Sequence, residues 1–69
     1  MATNGYLRVV EGRVILYNMN AQIENIYYNG NDAFTADWYD KEKESIIVRL
    51  KDDKTIIINK QAQVINRIG

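Results

Sequence analysis

The chain has 69 residues, its nine Lys and Arg balance nine Asp and Glu, and it contains neither Cys nor His. That length holds one domain at most, disulfides are excluded, and zinc sites built on thiolate or imidazole have no ligands. No apolar run approaches the ~20 residues of a membrane span, and a chain that is 46% hydrophobic with no Pro is composed to fold.

The opening MATNGYLRVV lacks the charged head and apolar stretch of a signal peptide. A cytoplasmic, intracellular protein is therefore expected; a viral or bacterial origin is compatible with this. Strand signals follow in chain order. Residues 6–10 and 14–17 are rich in β-branched and aromatic side chains, and Glu11-Gly12 between them is a two-residue hairpin turn. A turn at 18–20 leads to a strand at 21–28 and then to the Asn29-Gly30-Asn31-Asp32 loop. A strand at 34–39 ends in the charged stretch 40–44, which is too short to hold a helix alone. Strands at 45–50 and 55–58 flank Asp52-Asp53, a second two-residue hairpin candidate. A turn at 59–61 and a strand at 63–68 complete the chain. No helix is predicted.

Two segments echo each other at an offset of 41 residues. YLRVVEGRVILYNMNAQIENIYY (6–28) lies over IVRLKDDKTIIINKQAQVINRIG (47–69), with six identities: Arg8/Arg49, Ile15/Ile56, Asn18/Asn59, Ala21/Ala62, Gln22/Gln63 and Asn25/Asn66. Turns fall on turns and strands on strands. The chain thus reads as an all-β domain spanning 1–69 with about seven short antiparallel strands. Two three-stranded meanders, repeat copies 6–28 and 47–69, are joined by a linking strand and packed as a sandwich or small barrel.

The run Asp32-Ala33-Phe34-Thr35-Ala36-Asp37-Trp38, then Ile46-Ile47-Val48-Arg49-Leu50, Asp52-Asp53-Lys54 and Thr55-Ile56-Ile57-Ile58-Asn59, resembles the four-stranded blade of a β-propeller. The resemblance covers 32–69 as a full blade and 6–28 as a blade lacking its first strand. It implies sheets that stack face to face, and no particular function. The chain has no Trp-Asp dipeptide, and two incomplete blades do not close a ring of four or more.

Two-residue turns would place Leu7, Val9, Val14 and Leu16 on one face and Tyr6, Arg8, Ile15 and Tyr17 on the other. In the second copy Val48, Leu50, Thr55 and Ile57 would share one face, and Ile47, Arg49, Ile56 and Ile58 the other. Phe34 and Trp38 are expected in the core. Both faces of each meander are largely apolar, one more than a two-layer fold covers. A homo-oligomer is therefore predicted, or an assembly with another protein. Its candidate contact residues are Tyr6, Arg8, Tyr17, Tyr28, Tyr39, Arg49, Ile56 and Ile58. Arg8 and Arg49 would pair with a neighbour's carboxylates or bind an anion.

Enzymatic chemistry is not expected. The usual general base and thiol nucleophile are missing, and Ser45, the only Ser, has no evident base. Asp37 and Asp40 flank Trp38-Tyr39, a carboxylate pair beside aromatics as in a glycosidase, but a chain this small offers no deep cleft. Asn29 to Asp32 has oxygen ligands without the spacing of a calcium loop, and no phosphate-cradling glycine loop occurs. No cofactor or metal is predicted. Nucleic acid is the less favoured partner: Tyr28 and Tyr39 with Lys51, Lys54, Lys60 and Arg67 could bind single strands, against zero net charge. Residues 1–40 carry a net −3 and residues 41–69 a net +3. A small ligand held at a subunit interface near Arg8 or Arg49 is a third reading.

Overall fold

Strand-forming side chains and closely spaced turns give the seven strands that the sequence predicts. The computed structural model describes residues 5–69; the first four residues of the N-terminal stretch considered above lie outside the described residues. Strands β1 (Tyr6–Val10), β2 (Arg13–Tyr17) and β3 (Ile23–Tyr28) form one antiparallel sheet in that order. Strands β4 (Ala33–Asp40), β5 (Ser45–Leu50), β6 (Thr55–Ile58) and β7 (Val64–Ile68) form a second antiparallel sheet in chain order. The described residues contain no helix, and so none long and apolar enough to cross a membrane.

The inner faces of the two sheets make the core. Val14 and Leu16 pack with Ile46, Val48, Leu50, Ile56 and Ile58, joined by Tyr27 and Ala33, with Leu7, Val9, Tyr28, Ala36 and Trp38 at the margin. Val14, Ile46 and Val48 are 0% exposed, and each such burial stabilises by about 1.5–3 kcal/mol. The smallest dimension of the molecule, 15 Å, is that of two stacked sheets. β1 lies beside β4, so the two sheets also meet along one pair of edges.

How each hairpin closes decides which side chains enter that core. Between β1 and β2 the turn has two residues, Val10 pairs with Arg13, and Glu11 and Gly12 take φ values of 52° and 79°. Positive φ at both central residues is the type I′ turn that suits the strand twist. Leu7 therefore pairs with Leu16 and Val9 with Val14, facing inward as the sequence predicts. Asp52-Asp53 has no Gly to fill the second such position. There the loop has three residues. Lys54 O accepts from Leu50 N–H (2.8 Å), Leu50 O accepts from Asp53 N–H (3.1 Å), and Asp53 alone takes the left-handed conformation, φ 67°.

The extra loop residue shifts β6 by one against β5. Ile46 pairs with Ile58, Ile47 with Ile57, Val48 with Ile56 and Arg49 with Thr55. Because side chains alternate, the shift reverses the predicted faces of β6. Ile56 and Ile58 are core residues, 2% and 1% exposed, and not outer-face contact residues; Thr55 and Ile57 take their place outside.

Bulges make the second correction. The register of β4 against β5 steps at Phe34 and again at Tyr39. Each extra residue is turned out of the ladder. Phe34 is 63% exposed rather than in the core, and Ala33 occupies the inward position opposite Leu50. Trp38 remains half-buried and meets Tyr27 edge to face, with ring centroids 6.4 Å apart. β3 bulges at Glu24 and Tyr27, and β7 at Ile65.

The β2–β3 and β6–β7 turns are the same device. Asn18 N–H donates to Gln22 O (2.8 Å), Ala21 N–H donates to Asn18 O (3.0 Å), and Asn18 Oδ1 accepts from Asn20 and Gln22 N–H (2.9 and 3.0 Å). Asn59 N–H donates to Gln63 O (2.9 Å), Ala62 N–H donates to Asn59 O (2.9 Å), and Asn59 Oδ1 accepts from Gln61 and Gln63 N–H (3.1 and 2.9 Å). Each turn ends on an Ala with positive φ, 62° at Ala21 and 64° at Ala62. Leu16 pairs with Asn25 as Ile57 pairs with Asn66, and a bulge follows in both.

These left-handed positions give opposite expectations. Gly12 packs so closely on Asn31 that a Cβ would overlap its backbone. Gly12→Ala should lower stability by about 2 kcal/mol or more. Ala21→Gly and Ala62→Gly relieve strain and should each raise it by about 0.5–1 kcal/mol. Urea unfolding at one fixed protein concentration measures all three.

Candidate functional site

The outer faces of the two sheets carry four of the eight predicted contact residues, Tyr6, Arg8, Tyr17 and Arg49. On the first sheet Tyr6 pairs directly with Tyr17, and the rings stack with centroids 5.7 Å apart and planes at 22°. Arg8 is opposite Ile15, which in turn is opposite Ile26. Ile15 is only 5% exposed although it lies outside the core cluster. Its neighbours on this face, Tyr6, Ile23 and Ile26, are exposed. Arg13 stands 3.9 Å from Glu11 at the turn.

The second sheet presents Thr35 and Asp37 of β4, Ile47 and Arg49 of β5, Thr55 and Ile57 of β6, and Asn66 and Ile68 of β7. Ile57 is buried at its centre between Ile47 and Asn66, again outside the core cluster. Arg49 lies 3.7 Å from Asp53. Thr35, Ala36, Asp37, Ile47, Arg49 and Thr55 line a shallow depression of ≈ 390 Å³.

Tyr6, Arg8 and Tyr17 are thus brought together, and Arg49 is on the other outer face. Tyr28 and Tyr39 are not joined. Tyr28 is half-buried at the margin of the core and its hydroxyl donates to Asp32 Oδ1, just before β4 begins. Tyr39 is exposed on the bulge near the other end of that strand, about seven residues on, or roughly 23 Å at strand rise. Asp37 and Asp40 are separated by the Tyr39 bulge. Ile57 belongs to the outer face, whereas a two-residue turn would put it on the opposite one; the missing Gly at Asp52-Asp53 is the signal that corrects it.

No protein-family model, curated protein or solved structure matches this chain.

A polar cluster, unforeseen in the sequence, closes one end of the molecule. The Tyr27 hydroxyl donates to the Glu44 carbonyl (2.6 Å), Lys60 Nζ stands 2.9 Å from Glu44 Oε2, and Asn25 Nδ2 donates to the Lys60 carbonyl (3.0 Å). β3 is thereby tied to the β4–β5 and β6–β7 turns. Leu16, Glu24, Asn25, Tyr27, Glu44 and Lys60 line an open notch of ≈ 340 Å³. Within it Lys60 and Glu44 neutralise each other. Among the described residues no group of three or more Asp and Glu is placed to hold a metal ion.

Three protons are held more tightly in this fold than in the free side chains. Burial pushes the Tyr27 phenol up, the hydrogen bond to Asp32 raises Tyr28 to about 12, and the hydrogen bond to Glu44 raises Lys60. The stability these groups contribute is complete below their ordinary titration near pH ~10, and is lost as the pH rises through the higher folded values. Wild-type stability should accordingly fall between about pH 10 and 12. Tyr28→Phe should lose about 1 kcal/mol at neutral pH and show a shallower alkaline fall. Urea midpoints across that range, with the near-ultraviolet absorbance of tyrosinate, check both.

Proposed function

We propose that this chain is a non-enzymatic interaction module that assembles with copies of itself through the outer faces of its two sheets. The observation that carries this reading is the pair Ile15 and Ile57. Each is nearly buried, 5% and 3% exposed, at the centre of an outer face, outside the core cluster. Around Ile15 the exposed Tyr6, Ile23 and Ile26 extend the apolar surface, and around Ile57 so do Ile47 and the exposed Ile68. Isolated exposed hydrophobic residues are ordinary, whereas contiguous patches mark interaction surfaces. A domain of this size also gains disproportionately from association, since it buries a smaller share of its surface alone.

The matched Asn-closed turns and the matched bulges support reading the chain as a duplicated meander. Stacking sheet on sheet between molecules, in the manner of propeller blades, would cover both outer faces. An intracellular setting belongs to the same reading. Sedimentation or light scattering at low micromolar concentration tests it. An assembly larger than the 8.0 kDa chain is expected, and a clean monomer overturns the proposal. Ile26→Lys, at an exposed outer-face position, should leave the fold intact and weaken association at least ~10-fold, the equivalent of ~1.4 kcal/mol.

A further inference from the structure

We infer that the contact between copies joins unlike faces: the outer face of the β1–β2–β3 sheet of one molecule packs on the outer face of the β4–β5–β6–β7 sheet of the next, with Arg8 meeting Asp37. The inference rests on the self-association proposed above and specifies its geometry.

The two faces differ in charge at their centres. Arg8 is in mid-β1, exposed and opposite Ile15. Its guanidinium has no ion pair among the described residues, whereas Arg13 is engaged by Glu11. Asp37 is in mid-β4, exposed and opposite Ile47, at the wall of the ≈ 390 Å³ depression. Among the described residues its carboxylate accepts only the N–H of the adjacent Trp38 (2.7 Å), and Arg49 beside it is engaged by Asp53. One face therefore offers an unpaired guanidinium and the other an unpaired carboxylate, each set beside an apolar centre.

Three pairings of these faces are possible. Two first-sheet faces would bring like charges together, which disfavours association. Two second-sheet faces could pair Asp37 with Arg49, but would leave Ile15, Ile23, Ile26 and Tyr6 uncovered in every copy. Only the unlike pairing covers both apolar centres and matches Arg8 with an acid. Such a contact is head-to-tail: it closes into a ring if the rotation between copies permits, and otherwise extends as a filament.

Charge reversal tests this directly. Arg8→Asp and Asp37→Arg should each remain folded by circular dichroism, and each alone should associate at least ~10-fold more weakly than wild type. An equimolar mixture of the two should assemble again. In the mixture the new carboxylate at position 8 meets the new guanidinium at position 37, and the unaltered Arg8 meets the unaltered Asp37. The double variant should assemble as well. Sedimentation of the separate and mixed proteins reads the result. If the wild type assembles and neither variant weakens it, or only Asp37→Arg does, or the mixture of folded variants stays monomeric, the unlike pairing is overturned while self-association stands. If the wild type is itself monomeric, both proposals fall. Should either variant unfold, Arg8→Glu and Asp37→Lys replace them under the same criteria.

Discussion

The crossover from the first sheet to the second is clamped between two hairpin turns, and that clamp sets how the two core-forming sheets meet at this end. Ala33 N–H donates to the Gly12 carbonyl (3.0 Å) in the β1–β2 turn, and Lys51 N–H donates to the Asp32 carbonyl (2.9 Å) from the β5–β6 turn. Tyr28, at the end of β3, binds the Asp32 side chain and packs its ring beside Gly30. A chain that changes sheets must turn its backbone away from both ladders, and buried main-chain groups need partners when it does. Here the two turns supply them. Gly12 is needed twice, for a positive φ and for its close approach to Asn31.

At the opposite end the connection is made by side chains. Tyr27 reaches the Glu44 carbonyl, and Lys60 and Asn25 complete the tie to the neighbouring turns. The hydrogen bond of a nearly buried phenol stabilises by about 1 kcal/mol, while the exposed Lys60 and its carboxylate partner add little. Tyr27 therefore matters most through its buried ring and its edge-to-face contact with Trp38. The main-chain clamp and the Tyr27 tie join the two sheets at both ends.

The strands and most turns are legible in the sequence because β-branched runs broken by Asn, Asp and Gly leave few alternatives. The register of β1 on β2 is legible too, since Glu11-Gly12 suits a type I′ turn. The register of β6 is not read correctly when Asp52-Asp53 is treated as equivalent to Glu11-Gly12. A β-turn that demands two positive φ values favours Gly, and an Asp pair takes a longer loop with one such residue. Ile56 and Ile58 change faces for that reason alone. Phe34 is misjudged by a different route: strict alternation knows nothing of bulges, which appear only when two strands of unequal path are paired. The adjacent Tyr27 and Tyr28, both packed toward the core, are the trace such a bulge leaves.

The same bulges bear on how copies could meet. β3, β4 and β7 each carry at least one, and β1, which is regular, lies against β4. Bulged or covered edges are poor templates for extending a ladder into another chain, so the faces are the better route to association. Those faces are unlike because of the single-residue shift at the β5–β6 loop. Arg8 and Arg49 align and both point outward, but Ile15 lies outside while its aligned counterpart Ile56 lies inside. The two outer faces are thereby chemically different. Two identical surfaces, each centred on an arginine, would repel; the shift, with Asp37 on the added strand and Asp53 engaging Arg49, removes that obstacle on one side only. A molecule built in this way has a head and a tail.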